Sequence, residues 1–208
     1  MKKALLIIGL LVCSFINAQT AYDKGMEKAF AFWENNQMDE AENLFERIAN
    51  AETNQWLPQY YIAQINSLKS WNETDKNRIT AQLDKAQKHI SAALAIAEDE
   101  PEIIVMQAQI LTNWVVFDGM TYGMKYAGKI TALYDKAYTL APKNPRVVFS
   151  KADWAMGSAR YFGQDTAPFC SEIERSVALF TTFKPESKWH PNWGKARNEE
   201  VLKSCKNK

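Results

Sequence analysis

Glycine is scarce, with eight in 208 residues, and no stretch alternates apolar and polar side chains as a half-buried strand would. Both facts exclude a fold built on strands and tight turns. Histidine is rarer still: His89 and His190 are the only two. They lie far apart, no pair has the H-x3-H spacing of a helical metal site, and no C-x-x-C pair exists. The G-x-S-x-G nucleophile elbow is missing, and no glycine-rich run precedes Lys-Ser or Lys-Thr to cradle a phosphate. Cys170 and His190 carry no local signature of a cysteine nucleophile. The chain therefore reads as a non-enzyme with no cofactor and no metal. Charge of one sign is also absent. With 25 basic and 24 acidic residues there is no electrostatic footprint for nucleic acid. The single long apolar run, from Ala4 to Ile16, falls short of the about 20 residues that span a bilayer.

That run sits in a recognisable place. Lys2 and Lys3 precede it, and Asn17-Ala18 leads from it into Gln19. A basic start, an apolar stretch and a small residue before a cut make a secretory leader over residues 1–18. The mature chain is then residues 19–208, periplasmic or secreted, with no membrane span. Cys13 is preceded by Val12 and followed by further apolar residues, which is not the pattern of an acylated cysteine. Two cysteines, Cys170 and Cys205, remain after cleavage. In an oxidising compartment they either bond to each other or stay as two partly buried thiols, since spacing does not give their separation.

Beyond Ala21 a helical period dominates. Leu57, Tyr61, Ile65 and Leu68 make one apolar stripe; Ile104, Ala108 and Leu111 make another; Ile173, Val177 and Phe180 a third. The segments starting at Ala41, Ala86, Ile130 and Ile173 superpose at spacings of 45, 44 and 43 residues. Pro58, Pro101 and Pro145 stand 43 and 44 apart, and proline is at home in the first turn of a helix, where its missing N–H is no loss. The repeating unit is a helix pair, with pairs near 21–50, 57–97, 101–141 and 145–184. A final helix near 192–205 has one apolar stripe and a polar back, as the end of a stacked array requires.

Ala137-Tyr138-Thr139-Leu140-Ala141-Pro142-Lys143-Asn144-Pro145 resembles the end of a tetratricopeptide repeat, and the run from Ala93 to Pro101 does so more loosely. Ala29, Phe32, Ala41 and Phe45 match the small and large positions by which that family packs its helices. Later units are longer than the family's own, and Ile130, Ile173 and Phe180 stand where it uses small residues, so a HEAT-like array is the structural alternative. The build, including Pro191-Asn192-Trp193-Gly194 before the last helix, also resembles exported repeat proteins of flavobacteria. The resemblance implies an all-α, right-handed α-α superhelix of about four helix pairs with a C-terminal capping helix.

In such arrays the first helix of each pair lines a concave face. Counting from Tyr22, Pro58, Pro101 and Pro145, the first step gives Asp23, Gln59, Glu102 and Arg146. The eighth gives Phe30, Asn66, Gln109 and Asp153, and the eleventh Trp33, Lys69, Thr112 and Met156. Asn66, Gln109 and Asp153 would form a polar row able to bond a peptide backbone. Lys69, Asn113, Arg146 and Trp114 complete the candidate binding set. Seven Trp and eight Tyr fill the spaces between pairs, while Trp114 and Phe117, beside the glycine-bearing stretch Asp118–Gly123, mark an aromatic connection. Asp165-Thr166-Ala167 resembles the acceptor signal for an O-linked sugar in the same bacterial group. The acidic clusters Asp39–Glu46 and Glu98–Glu102 read as helix starts and surface turns. Two functions are in play: a scaffold that binds a protein or peptide on its concave face, and a carbohydrate or small-ligand module that uses the aromatic connections.

Overall fold

A computed structural model describes residues 21–206. The leader over 1–18, its cleavage site before Gln19, and Cys13 lie outside the described residues. The architecture is a tetratricopeptide-like α-α superhelix. Helix α1 runs over 21–34, followed by α2 (Met38–Ala51), α3 (Trp56–Trp71), α4 (Lys76–Ile96), α5 (Pro101–Phe117), α6 (Gly119–Leu140), α7 (Pro145–Tyr161), α8 (Cys170–Phe180) and α9 (Lys195–Lys206). Successive helices pair as α3/α4, α5/α6 and α7/α8, and α9 closes the last pair; Phe30 of α1 meets Phe45 of α2 with ring centroids 5.5 Å apart. Among the described residues no helix is long and apolar enough to cross a membrane.

The repeat is visible in its turns. Between pairs, Glu52, Ala97 and Ala141 each donate an N–H to the carbonyl four residues back, in Ile48, Ala93 and Ala137. Each then accepts from the residue three further on, in Gln55, Glu100 and Asn144. The same hydrogen bonds thus recur every 45 and 44 residues. Several helix starts are capped by side chains. Asp75 accepts from the Arg78 N–H, Asp118 from Thr121, and Asn144 from Arg146 and Val147. Such caps satisfy donors that have no partner within the helix, and each contributes about 1 kcal/mol.

Pro101 and Pro145 open α5 and α7, but α3 begins at Trp56, so Pro58 is its third residue. Proline is tolerated anywhere in that first turn, which is why the proline spacing hides the offset. Fully buried Ala41, Ala86, Ala93, Ala108 and Ala137 let helices approach closely, and Met26, Phe45, Tyr60, Ile62, Leu83 and Ile110 fill the space between them. A second small cluster, Phe149, Met156, Ile173 and Val201, joins α7, α8 and α9. Cys170 and Cys205 form a disulfide that ties the start of α8 to the last turn of α9. Thr166 is buried at the turn before α8.

At the centre of the inner face lies an ion pair between equivalent positions of neighbouring repeats. Arg146, 2 % exposed, meets Glu102, 1 % exposed. The guanidinium donates from Nε and Nη2 to both carboxylate oxygens at 2.6–2.9 Å. Asn144, which caps α7, adds a 2.6 Å bond to Glu102 Oε1. A buried pair stabilises little overall against its hydrophobic replacement, but losing one partner strands the other charge. Glu102→Leu is expected to lower unfolding free energy by about 3–5 kcal/mol in urea titration. Asp99→Ala, which breaks the exposed pair with Lys136, should cost less than about 1 kcal/mol. Equal losses in the two variants would contradict this account of the pair.

Candidate functional site

The concave face is not open along its length. After α8 the chain turns back, and residues 183–194 cross the inner face without regular secondary structure. Pro185 and Pro191 keep this strap from joining a helix. Its aromatic side chains anchor it. The Trp189 ring stacks on Phe30 with centroids 5.6 Å apart, and its Nε1 donates to Asp23 Oδ1 at 2.6 Å. The Tyr61 hydroxyl donates to the Trp189 carbonyl at 2.6 Å. Trp193 Nε1 donates to the Tyr60 hydroxyl at 2.7 Å. Phe183 lies over the Arg146 guanidinium, 5.0 Å from it, and His190 meets the Trp56 ring edge-on at 5.4 Å. Gly194 ends the strap at φ +100, where a Cβ would stand 3.5 Å from Phe180 and 3.6 Å from Arg146. Only glycine takes that conformation without strain.

Beside the strap the face deepens into a cavity of about 350 Å³. Four rings form its sides: Phe30 and Trp33 from α1, Tyr61 from α3 and Trp193 from the strap. Leu68 and Met106 add apolar surface, and Gln64, Gln109, Ser67 and Asn192 add polar groups. Among the described residues, Glu34 is the only ionisable acid or base on the wall besides Tyr61. Gln64 is 8 % exposed, and its Oε1 is buried with no hydrogen-bond partner in the structure. A buried amide oxygen without a donor costs about 1–3 kcal/mol. Burial drives the Tyr61 hydroxyl far above its ordinary pKa, with the Glu102 charge adding to it, so it stays a neutral donor.

The residues expected from counting fall in several places. Gln109 lines the cavity. Asn66 does not: its amide donates to Glu42 Oε1 and to the Ile62 carbonyl, facing α2. Lys69 pairs with Asp39 and Glu42, and Lys85 with Glu42 and Glu46. Burial pushes the Glu42 carboxyl up, but bonds from Lys69, Lys85 and Asn66 more than reverse this and hold it below the usual range. The reason is the two-residue offset in α3. Counting from Trp56 instead of Pro58 puts Gln64 at the eighth step, level with Phe30 and Gln109, and Ser67 at the eleventh, level with Trp33. Asn113 is buried and donates to the Ser67 carbonyl, fixing α5 to α3. Trp114 packs between α5 and α6 against Tyr122, 4.8 Å away. Asp153 sits half-buried, where burial raises its carboxyl against the nearby charges of Arg197 and Arg160. Arg146 is committed to Glu102.

No protein-family model matches the sequence, and no curated protein matches it. Among solved structures, the HusA haemophore from Porphyromonas gingivalis superposes with a TM-score of 0.78 at 20% identity, covering 90% of this chain and 94% of that one. At that identity the likeness is one of fold. A tetratricopeptide-repeat protein of Thermus thermophilus aligns over 90% of this chain and 100% of its own, at 10% identity and a TM-score of 0.44.

The strap is the least expected element and the easiest to probe. Trp189→Ala removes the Phe30 stack and the bond to Asp23. It is expected to cost about 2–3 kcal/mol, somewhat below a fully buried tryptophan, and to speed amide exchange in residues 183–194 ahead of the helices. Unchanged protection there would mean the strap is held by other contacts.

Proposed function

We propose that the protein is an exported binding module whose cargo is a small, flat, largely apolar molecule held in the cavity between Phe30, Trp33, Tyr61 and Trp193. One observation carries this reading: the chain's own strap lies on the concave face where an extended peptide would run, and it leaves a cavity instead of a groove. A tethered segment acts at an effective concentration in the millimolar range, so a peptide of ordinary affinity competes poorly for the same surface. The cavity's size and lining suit a small ligand, since such sites run from about 300 to 1,000 Å³ and combine apolar walls with a few convergent polar groups. The rings offer stacking faces, and Gln64, Gln109 and Asn192 offer an edge for hydrogen bonds. Nothing in this arrangement calls for catalysis. The leader and the disulfide support a periplasmic or secreted location.

The haemophore that shares this fold makes a tetrapyrrole the first cargo to test. The lining suits the ring and not the iron. It holds no histidine or cysteine, and Tyr61 already donates its hydroxyl to the strap. Met106 is the one soft donor on the wall. Among the described residues no basic side chain lines the cavity, so propionates would lie at its mouth in water. A second reading, docking of a protein, is favoured by a different surface. Met120, Met124, Tyr161 and Phe162 are exposed where α5 meets α6 and α7 meets α8.

Tryptophan quenching with haem and with iron-free protoporphyrin is the direct test. Saturable binding of both, within about threefold of each other, is expected, with Trp33→Ala weakening both roughly tenfold, about 1.4 kcal/mol. Binding that requires iron, or that ignores Trp33→Ala, would overturn the cavity as a tetrapyrrole site. Failure of both porphyrins alongside saturable binding of a neutral sugar would keep the cavity and change its cargo.

A further inference from the structure

Where the strap crosses the start of α5, three side chains converge outside the cavity. Glu100 is the N-cap of α5, and Glu186 and His190 stand four residues apart on the strap. One donor atom from each lies within 4.8 Å of the other two, and His190 Nε2 is 3.9 Å from Glu186 Oε2. Ligands of a tetrahedral zinc with bonds near 2.0–2.1 Å stand about 3.4 Å apart, a contraction that ordinary side-chain rotation supplies. We propose that Glu100, Glu186 and His190 form a site for a divalent cation of the zinc class, which staples the strap to the body of the array.

Three independent features support the site. The first is orientation. Ser187 Oγ lies 3.4 Å from His190 Nδ1, so the hydroxyl can accept the Nδ1 proton and leave Nε2 with its lone pair toward the carboxylates. Metal-binding histidines are commonly fixed in this way through their second nitrogen. The second is charge. The carboxylates of Glu100 and Glu186 converge here, while the Arg146 guanidinium is taken up by Glu102, which leaves an excess of negative charge. A divalent ion offsets that excess. The third is access. The Glu186 side chain is 82 % exposed while His190 is buried, so the site has a dry floor and a solvent-facing arm through which an ion enters. A nitrogen donor beside two carboxylates favours zinc over calcium, which takes oxygen ligands. Three protein ligands leave a fourth position for water. Because Asn192 and Trp193 follow directly on the strap, occupancy would also steady one wall of the cavity. The site does not depend on what the cavity holds.

The test uses the whole chain after chelator treatment. Cobalt(II), as a spectroscopic stand-in, should give the visible absorption of a four-coordinate centre at one equivalent, displaced by zinc and not by equimolar calcium. Zinc should also slow tryptic cleavage after Lys188. Glu186→Gln alters an exposed side chain, so the fold survives it. That variant and His190→Ala, its melting curve recorded alongside, should each weaken cobalt and zinc binding roughly tenfold or more and abolish the protection at Lys188. Absence of a stoichiometric cobalt spectrum, or binding that survives Glu186→Gln, would overturn the site.

Discussion

The fully buried pair of Glu102 and Arg146 is the constraint around which the inner face is arranged. Two opposite charges stay away from water only if every lone pair and proton is spoken for. Here three groups contribute to that requirement. Asn144 bridges from the turn before α7, the guanidinium chelates both carboxylate oxygens, and Phe183 roofs the guanidinium from the strap. Because residues 102 and 146 follow the opening prolines of successive repeats, the pair fixes the rotation of one helix hairpin on the next. It also makes the strap necessary. Without a cover over Arg146 the charges would be solvated, and the contact would lose its geometric definition.

Once the strap is in place, the surface that an array of this kind would offer to a partner is divided. Part of it becomes interior, where Trp189 stacks on Phe30. Part becomes a walled cavity whose fourth ring, Trp193, comes from the strap itself. Cavity and cover are therefore one unit, and a change at either is felt at the other.

Much of the fold was legible in the sequence. Pro101 and Pro145, the buried alanines and the Ala-Pro turn at 141–142 all mark hairpins through local physics, and these elements appear where the 44-residue spacing puts them. The cavity was legible only in part. Gln109 and the aromatic Phe30 and Trp33 follow from counting, but Pro58 sits in the first turn of α3 without opening it. That offset exchanges Gln64 and Ser67 for Asn66 and Lys69. The strap was not legible at all, because its contacts belong to no period: Trp189 reaches Asp23 across 166 residues. The one available signal was composition. Two tryptophans and a histidine between Pro185 and Gly194 are apolar mass in a segment that proline bars from helix, and such mass must be buried against something else.

The disulfide acquires a meaning beyond its own stability. Cys170 and Cys205 lie on either side of residues 183–194, so the strap is part of a closed covalent ring. It has no free end. When its anchors let go it can only swing as a bounded flap, and the conformations open to it are far fewer than those of a loose tail. The entropy gained on opening is correspondingly small. Opening is thus a short excursion that reverses quickly, and the cavity wall is rebuilt from the same residues each time. In a reducing environment the same segment would lose that closure, so formation of the disulfide completes a door that the sequence alone leaves unhinged.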